Sequence, residues 1–393
     1  MPEATALLNA RLLDPGTGEV HAGGLLLENG QIAGEIPPGS SPSGVNVADL
    51  GGRLIAPGYL DVHFHGKLPF SAPERLEHAL GEDARELARH GVTAFLPTTV
   101  ARNDAPLAAC VRAVGRCVIS ASSSASDAAS KPLGIHLEGP WIAPDAAGAQ
   151  PAGAIRPYDA AAGASILDAA DGTVRLVTLA PEVPGALTLL AELGRRGIVA
   201  AVGHSRASAA ALESGIDAGL RHATHLFNAM GPVHHRDLGV AGVALTDDRI
   251  TCDLICDGCH VHPAMVRLAA RAKGDRLLLI SDHIDPPGDA TDFGSGPVHD
   301  DGTALRLPGG TLAGSTLHLD CAVSLAVQLG AMTLPEAVAA ATIQPARLLG
   351  VEAEHGTLRP GSRADLVVLE EDGTLVETWL AGVRVARASE GAG

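Results

Sequence analysis

The chain has 393 residues, 46% of them apolar, with 28 basic against 45 acidic side chains and a formal net charge of −17. That length suits a large α/β domain plus something smaller, and the acidic balance disfavours nucleic acid, whose phosphates need a basic face. No uncharged apolar run reaches ~18 residues and no basic-then-apolar leader opens the chain, so no membrane span is expected and the cytoplasm is the expected location.

Residues 1–55 read as short strands separated by Gly, Pro and Asn: Ala6–Leu8, Leu25–Glu28 and Gln31–Gly34, with a hairpin signal at Glu28-Asn29-Gly30. The Ser/Pro/Gly-rich stretch from Gly39 to Gly44 reads as a mobile connector. From Pro57 the pattern changes to strand, then helix, repeated. The expected strands are Tyr59–Phe64, Val92–Pro97, Leu133–Leu137, Val174–Leu179, Ile198–Gly203, Ala223–Leu226, Ile250–Ile255 and Leu277–Ser281. Helical periodicity between them covers Arg75–His90, Ala186–Arg196, Ala207–Ala218 and Pro263–Ala272. Eight strands with crossover helices predict a (β/α)8 TIM-like barrel, and no GxGxxG follows the first strand to suggest a dinucleotide fold.

Pro286–Gly310 is rich in Gly, Pro and Asp, and a loop that long in a compact domain is expected to be a lid, a substrate loop or a decorative hairpin. Helices at Leu319–Leu329 and Leu334–Ala341 close the barrel. Gly356–Leu358, Ala364–Leu369 and Thr374–Trp379 return to the style of the N-terminus. Neither end can bury enough apolar area alone. The expected organisation is therefore a small β-sandwich from residues 1–55 and 350–393 around a barrel at 56–349. Among the 6 cysteines, the single CxxC at Cys256 and Cys259 reads as two reduced thiols, since a structural zinc site wants a second pair.

Polar groups gather at the strand ends. Strand one closes on Asp61-Val62-His63-Phe64-His65, where period two puts His63 and His65 on one face. Strand three delivers Glu138, strand five His204, strand six His225, strand seven leads to His260, and strand eight to Asp282 and His283. In a barrel these ends share one mouth, where active sites form. Any one imidazole alone reads as a structural residue. Four of them with two carboxylates suit a divalent ion, with Zn or Fe expected and Mn or Co compatible, as one or two ions. Asp282, the acid directly after strand eight, is the candidate to carry a proton from water to a leaving group, or to serve as a further ligand. His21, His78, His90 and His355 lie off the strand ends and read as surface or core residues. Arg236, close after strand six, has the bidentate fork that suits phosphate; the alternative is a surface pair with Asp237.

The segments His136-Leu-Glu-Gly-Pro-Trp141, Gly203-His-Ser205, Ala223-Thr-His-Leu-Phe-Asn-Ala-Met230, Asp257-Gly-Cys-His-Val261 and Leu312-Ala-Gly-Ser-Thr-Leu317 resemble N-acetylglucosamine-6-phosphate deacetylases of the amidohydrolase superfamily. The resemblance runs from Ala56-Pro57-Gly58 to Gly361-Ser362-Arg363. It implies a homodimer, a main metal held by Glu138, His204 and His225, and a second at His63 and His65. It further implies Asp282 as acid/base, a sugar-phosphate pocket from Asn228, Ala229 and an Arg236 contributed across the dimer, and substrate contacts at His260 and Gln150. The Ala313–Thr316 stretch would line the sugar side. The loops after His65 and Asp282 depart from the family pattern, which leaves a galactosamine epimer or another amide as the alternative substrate. A catalytically silent sugar-phosphate sensor would be expected to have lost a ligand or the acid, and none is missing.

Overall fold

The computed structural model describes residues 4–123, 129–288, 291–302 and 304–385. Its centre is a closed ring of parallel strands: β1 (Tyr59–Gly66), β2 (Val92–Thr99), β3 (Ile135–Glu138), β4 (Val174–Leu179), β5 (Val199–Val202), β6 (His222–Ala223), β7 (Thr251–Ile255) and β8 (Leu277–Ile280). Each pairs with the next in order. β8 stops at Ile280 and resumes at His283–Ile284, which pairs with β1 at Phe64 and Gly66. The break between the two pieces holds Asp282, whose N–H donates to His63 O at 2.9 Å and joins the last strand to the first. The ring is filled by apolar side chains, including Leu60, Leu96, Leu176, Ala201, Ile255 and Leu278. The fold is thus the (β/α)8 barrel with an added β-sandwich that the strand–helix alternation predicts.

Several boundaries differ from expectation, each for a local reason. β1 runs two residues further, so both His63 and His65 lie inside the strand. β3 begins at Ile135, with Lys131–Pro132 forming a separate pairing with β2. β6 is only two residues long because the chain leaves the sheet before His225, which takes a left-handed φ of 36°. Leu226 is apolar and buried, which mimics a strand, yet it packs into the core instead.

The crossover helices present amphipathic faces to the ring. Leu76–Arg89 buries Leu76, Leu80, Ala84 and Leu87 at helical spacing. Leu334–Ala341 begins with a capping box, Thr333 and Glu336 each satisfying the other's backbone N–H.

Both chain ends contribute to an eight-stranded sheet ordered Val383–Arg384, Leu375–Leu380, Leu366–Leu369, Leu54–Pro57, Thr5–Leu13, Val20–Glu28 and Gln31–Ile36, with Asn46–Asp49 on Thr5–Leu13. Its core includes Leu7, Leu12, Leu25, Ile55, Leu366 and Trp379. The Asn29-Gly30 turn has φ of 53° and 78°, as a two-residue hairpin of this hand requires. Gly356–Leu358 is not a strand; Gly356 instead packs within 3 Å of the Thr342 backbone where a Cβ would stand.

The long segment after β8 folds into a three-stranded unit of Thr291–Asp292, Pro297–Asp300 and Leu305–Arg306. Its apolar side chains Val298, Leu305 and Leu307 pack on Ile284 and Ala313, with Phe70 and Phe293 at the edge. Among the described residues no helix is long and apolar enough to cross a membrane.

Candidate metal centre

The strand ends bring their polar groups to one point. Glu138 Oε1 stands 3.0 Å from His204 Nε2 and 2.9 Å from His225 Nε2, and those two nitrogens are 3.1 Å apart. A second triangle lies beside it. His63 Nε2 and His65 Nε2 are 3.3 Å apart, and Asp282 Oδ1 is 3.2 Å from the first and 3.3 Å from the second. Around a tetrahedral ion with ligands at about 2.0–2.1 Å, donors stand about 3.3 Å apart. Both triangles fit that spacing. Glu138 joins them, with Oε1 3.6 Å from His63 Nε2 and Oε2 3.3 Å from His65 Nε2.

Proton accounting supports a cation here. His65 Nδ1 donates to Thr98 O at 3.0 Å and His204 Nδ1 to Ala146 O at 2.9 Å. Each Nε2 of the neutral ring then bears a lone pair aimed at a carboxylate oxygen, which is repulsive unless positive charge lies between. Burial works against protonation of His65, but Asp282 and Glu138 outweigh it and raise the imidazole to about 10. Burial likewise opposes charge on His225, and Glu138 raises it to about 9. Glu138 itself is buried, which favours its neutral form, yet His63, His204 and His225 hold it well below the usual carboxylate range. The site is built for a stable carboxylate among imidazoles with positive charge at its centre.

The backbone is bent to make it. His204, His225 and Asp282 have φ of 48°, 36° and 50°, a left-handed conformation that non-glycine residues rarely adopt. Such strain persists where surrounding bonds over-determine it. At His225 the determining group is Asp253, fully buried on β7, which accepts the His225 N–H and pairs with His222 Nε2 at 2.9 Å. Replacing Asp253 with alanine leaves both donors unmet. The expected result is a loss of about 3 kcal/mol in unfolding free energy and a metal affinity about 10–100-fold weaker. Chemical unfolding and metal titration of the variant check it; unchanged values in both would show that Asp253 does not hold His225.

A cavity of about 380 Å³ opens over the centre, a volume that suits a small-molecule site. His65, Glu138, His204, His225 and Asp282 line it, while His63 is fully buried beneath. Gln150 lines it too, accepting from Ala101 N–H at 2.7 Å and donating to Glu138 Oε2. Asn228, Ala229 and His260 complete the expected wall. His260 Nδ1 is fixed by Asp257 at 2.7 Å, and Asp257 also caps the turn through the His260 N–H.

Arg236 does not line this cavity. It is exposed on the loop after β6, with its guanidinium 3.1 Å from His235, and it forms no ion pair with Asp237. A loop that follows a strand in sequence need not fold over that strand's mouth. Cys256 is buried and Cys259 exposed, and no disulfide joins them.

Three supports went unread in the sequence. Asp61 precedes His63 at period two and accepts the His63 N–H at 3.2 Å; burial raises its carboxyl to about 6. His136, two residues before Glu138, packs edge-on against the His63 ring with centroids 4.7 Å apart. Both were visible as same-face neighbours of a named residue. Asp253 carried only the weaker signal of an acid inside an apolar strand. One other carboxylate–imidazole cluster exists among the described residues, Glu86, His90 and His318. Its two rings stack at 3.5 Å and 1°, so their lone pairs run parallel and do not converge on one ion.

The amidohydrolase family model matches residues 54–385. The chain is similar to the N-acetylgalactosamine-6-phosphate deacetylase of Escherichia coli O157:H7, 35% identical over 96% of this chain and 98% of that one. It is similar to the N-acetylglucosamine-6-phosphate deacetylase of Homo sapiens, 36% identical over 86% of this chain and 85% of that one. The crystal structure of N-acetylglucosamine-6-phosphate deacetylase from Pasteurella multocida superposes with a TM-score of 0.89 at 26% identity, covering 98% of this chain and all of that one.

Proposed function

The chain belongs to the amidohydrolase family, and from that premise we propose that it hydrolyses the acetamide of N-acetyl-D-glucosamine 6-phosphate. The products are D-glucosamine 6-phosphate and acetate, a reaction of amino-sugar catabolism, with the cytoplasm as its proposed location. The observation that carries the reading is the pair of donor triangles bridged by Glu138 on the floor of a cavity of about 380 Å³.

Glu138, His204 and His225 would hold one divalent ion, and His63, His65 and Asp282 a second, with Zn or Fe suited to this mixed imidazole–carboxylate set and Mn or Co compatible. When bound, such an ion polarises a carbonyl and lowers the pKa of water. The chain's own residues do the rest. Asp282 Oδ1 faces the centre, takes the proton of the attacking water and passes it to the amide nitrogen as the C–N bond breaks. Gln150, fixed by Ala101 and Glu138, is placed to orient the acetamido group. Asn228, Ala229 and His260 receive the sugar. Arg236 would reach the phosphate of a neighbouring subunit in a homodimer. Its loop is flanked by the exposed apolar side chains Val233 and Leu238, which fits a face that becomes covered. In this reading residues 1–55 and 350–393 form a supporting β-sandwich domain and 56–349 the catalytic barrel.

A second reading keeps the chemistry and changes the sugar to the galactosamine epimer, because the Escherichia coli relative of that name covers nearly the whole chain. Cyclic-amide hydrolysis on a carboxylated lysine is disfavoured, since no lysine among the described residues lines the cavity and Glu138 stands in the bridging position. The test is acetate release by metal-loaded protein on the 6-phosphates of N-acetylglucosamine and N-acetylgalactosamine, with both unphosphorylated sugars alongside. Release from the glucosamine derivative at the higher kcat/KM is expected. A preference for the other epimer selects the second reading, and no release from either removes both.

A further inference from the structure

We propose that His136 is a positioning residue for the metal centre: a one-way chain of buried hydrogen bonds, from Thr224 through Thr178 and His136 to Thr98, locks its ring, and that ring holds His63 in the orientation an ion at the His63–His65 triangle requires. The inference deepens the two-ion reading of the centre and rests on it.

The barrel interior changes character just below its mouth. Leu96, Leu176 and Ala201 belong to the apolar filling. Two residues further along the same three strands, on the same inward face, stand Thr98, Thr178 and Gly203. Thr98, His136, Thr178 and Thr224 are all fully buried. Thr178 lies on β4 and Thr224 directly after β6, with β5 between them. They meet because Gly203, at the end of β5, has no side chain: a Cβ there would stand 2.6 Å from Thr178 Cγ2 and 3.1 Å from Thr224 Cβ. A buried hydrogen bond adds little net stability over an apolar contact of the same shape, so a polar layer here points to a task other than filling space.

Proton accounting gives the chain a direction. Thr98 Oγ1 donates to Leu96 O at 3.1 Å and accepts the Phe64 N–H at 3.1 Å, so His136 Nδ1, 3.4 Å away, is the donor between those two residues. The ring meets a hydroxyl at each nitrogen and is fully buried, which keeps it neutral. Nε2 therefore accepts from Thr178 Oγ1 at 2.8 Å, and Thr178 accepts from Thr224 Oγ1 at 2.7 Å. The reverse direction would leave the Thr224 hydroxyl proton without an acceptor among the described residues.

Both ends of the chain serve metal-binding strands. Thr98 O accepts from His65 Nδ1 at 3.0 Å, and Thr224 immediately precedes His225. At its middle, His136 supplies what His63 lacks. A metal-bound imidazole normally has its second nitrogen held by a hydrogen bond. His63 Nδ1 is buried with no partner among the described residues. Of the rings packed on His63, His136 is nearest, at 4.7 Å and 82°, against 5.1 Å for His65 and 5.6 Å for His225. Contact with a locked ring takes the place of the missing hydrogen bond. The competing view is a polar core network that satisfies only itself.

His136→Ala opens a cavity in the barrel, so the test turns on Thr178→Val, which keeps the shape and removes the hydroxyl, and Thr178→Ser, which restores it. Metal-free protein is titrated with Zn²⁺ against a competing chelator, and the step that His65→Ala abolishes is assigned to the His63–His65 triangle. In Thr178→Val that step is expected to weaken about 10–100-fold, the usual cost of losing an outer support of a ligand, with the other step within about threefold and Thr178→Ser close to wild type at both. Equal weakening of both steps with a lower urea midpoint marks a structural role and overturns the proposal, as do unchanged affinities. Histidine nitrogen NMR spectra of the metal-free protein read the ring itself. His136 protonated at Nδ1 is expected in wild type, and protonation at Nε2 overturns the proposal. A single titration step in wild type removes the two-ion reading. That step then decides: weakening in Thr178→Val with rescue by Thr178→Ser upholds the role of His136, and no weakening overturns it. Absence of acetate release removes the deacetylase reading alone and leaves both measurements valid.

Discussion

Glu138→Gln is expected to release the metal on dialysis and to abolish measurable acetate production. The carboxylate is buried, and its two oxygens face His63, His65, His204 and His225 at 2.9–3.6 Å. Glutamine keeps the shape and removes the charge. It also puts an amide N–H₂ where one oxygen was, which can donate to the Nε2 lone pair of His65 or His204 and occupy it in place of an ion. Each contact to a charged group is worth about 1.5–3 kcal/mol, so losing two corresponds to roughly 10²–10⁴ in metal affinity. Elemental analysis after dialysis and acetate release measure the two effects. Full metal content together with full turnover would remove Glu138 from the centre and the proposed chemistry with it.

Asp282→Asn is expected to lower kcat by about 10²–10⁴, the usual contribution of a positioned acid/base. Asparagine tolerates the left-handed φ of 50° at this position, so the fold should survive. The bond from the residue-282 N–H to His63 O belongs to the backbone and is kept. Metal stoichiometry separates the two roles of this side chain. Loss of turnover at unchanged metal content identifies a proton carrier. A fall of one ion per chain identifies a ligand of the His63–His65 triangle. Near-normal kcat at full metal content would show that neither role is needed.

The barrel was legible because its signals are long. Val174–Leu179, Ala186–Arg196 and Leu334–Ala341 fall where apolar period and flanking breakers place them. The site was legible because a parallel barrel sends every strand end to one mouth, so a His or acid after each strand could be read as one group. What escaped has a physical pattern as well. Asp253 acts on the backbone N–H of His225, and no sequence rule marks a carboxylate that serves a neighbouring strand's peptide. The strands at 291–306 are two to four residues long, too short for alternation to rise above their turns. Arg236 drew attention by closeness in sequence, and the loop that carries it turns away from its own chain's cavity.

The terminal sheet sets a timetable for synthesis. Leu54–Pro57 pairs directly with Leu366–Leu369, so the first strands cannot be covered until the last have been made. The partners are roughly 310 residues apart, and at about 5–20 residues per second the wait is about 15–60 s. Throughout it Leu7, Leu12, Leu25 and Ile55 lack the cover that Leu366, Val368 and Trp379 later give them. A nascent chain in that state is a natural client for a holding chaperone, and a message stalled late in translation would leave a finished barrel trailing an adhesive hairpin.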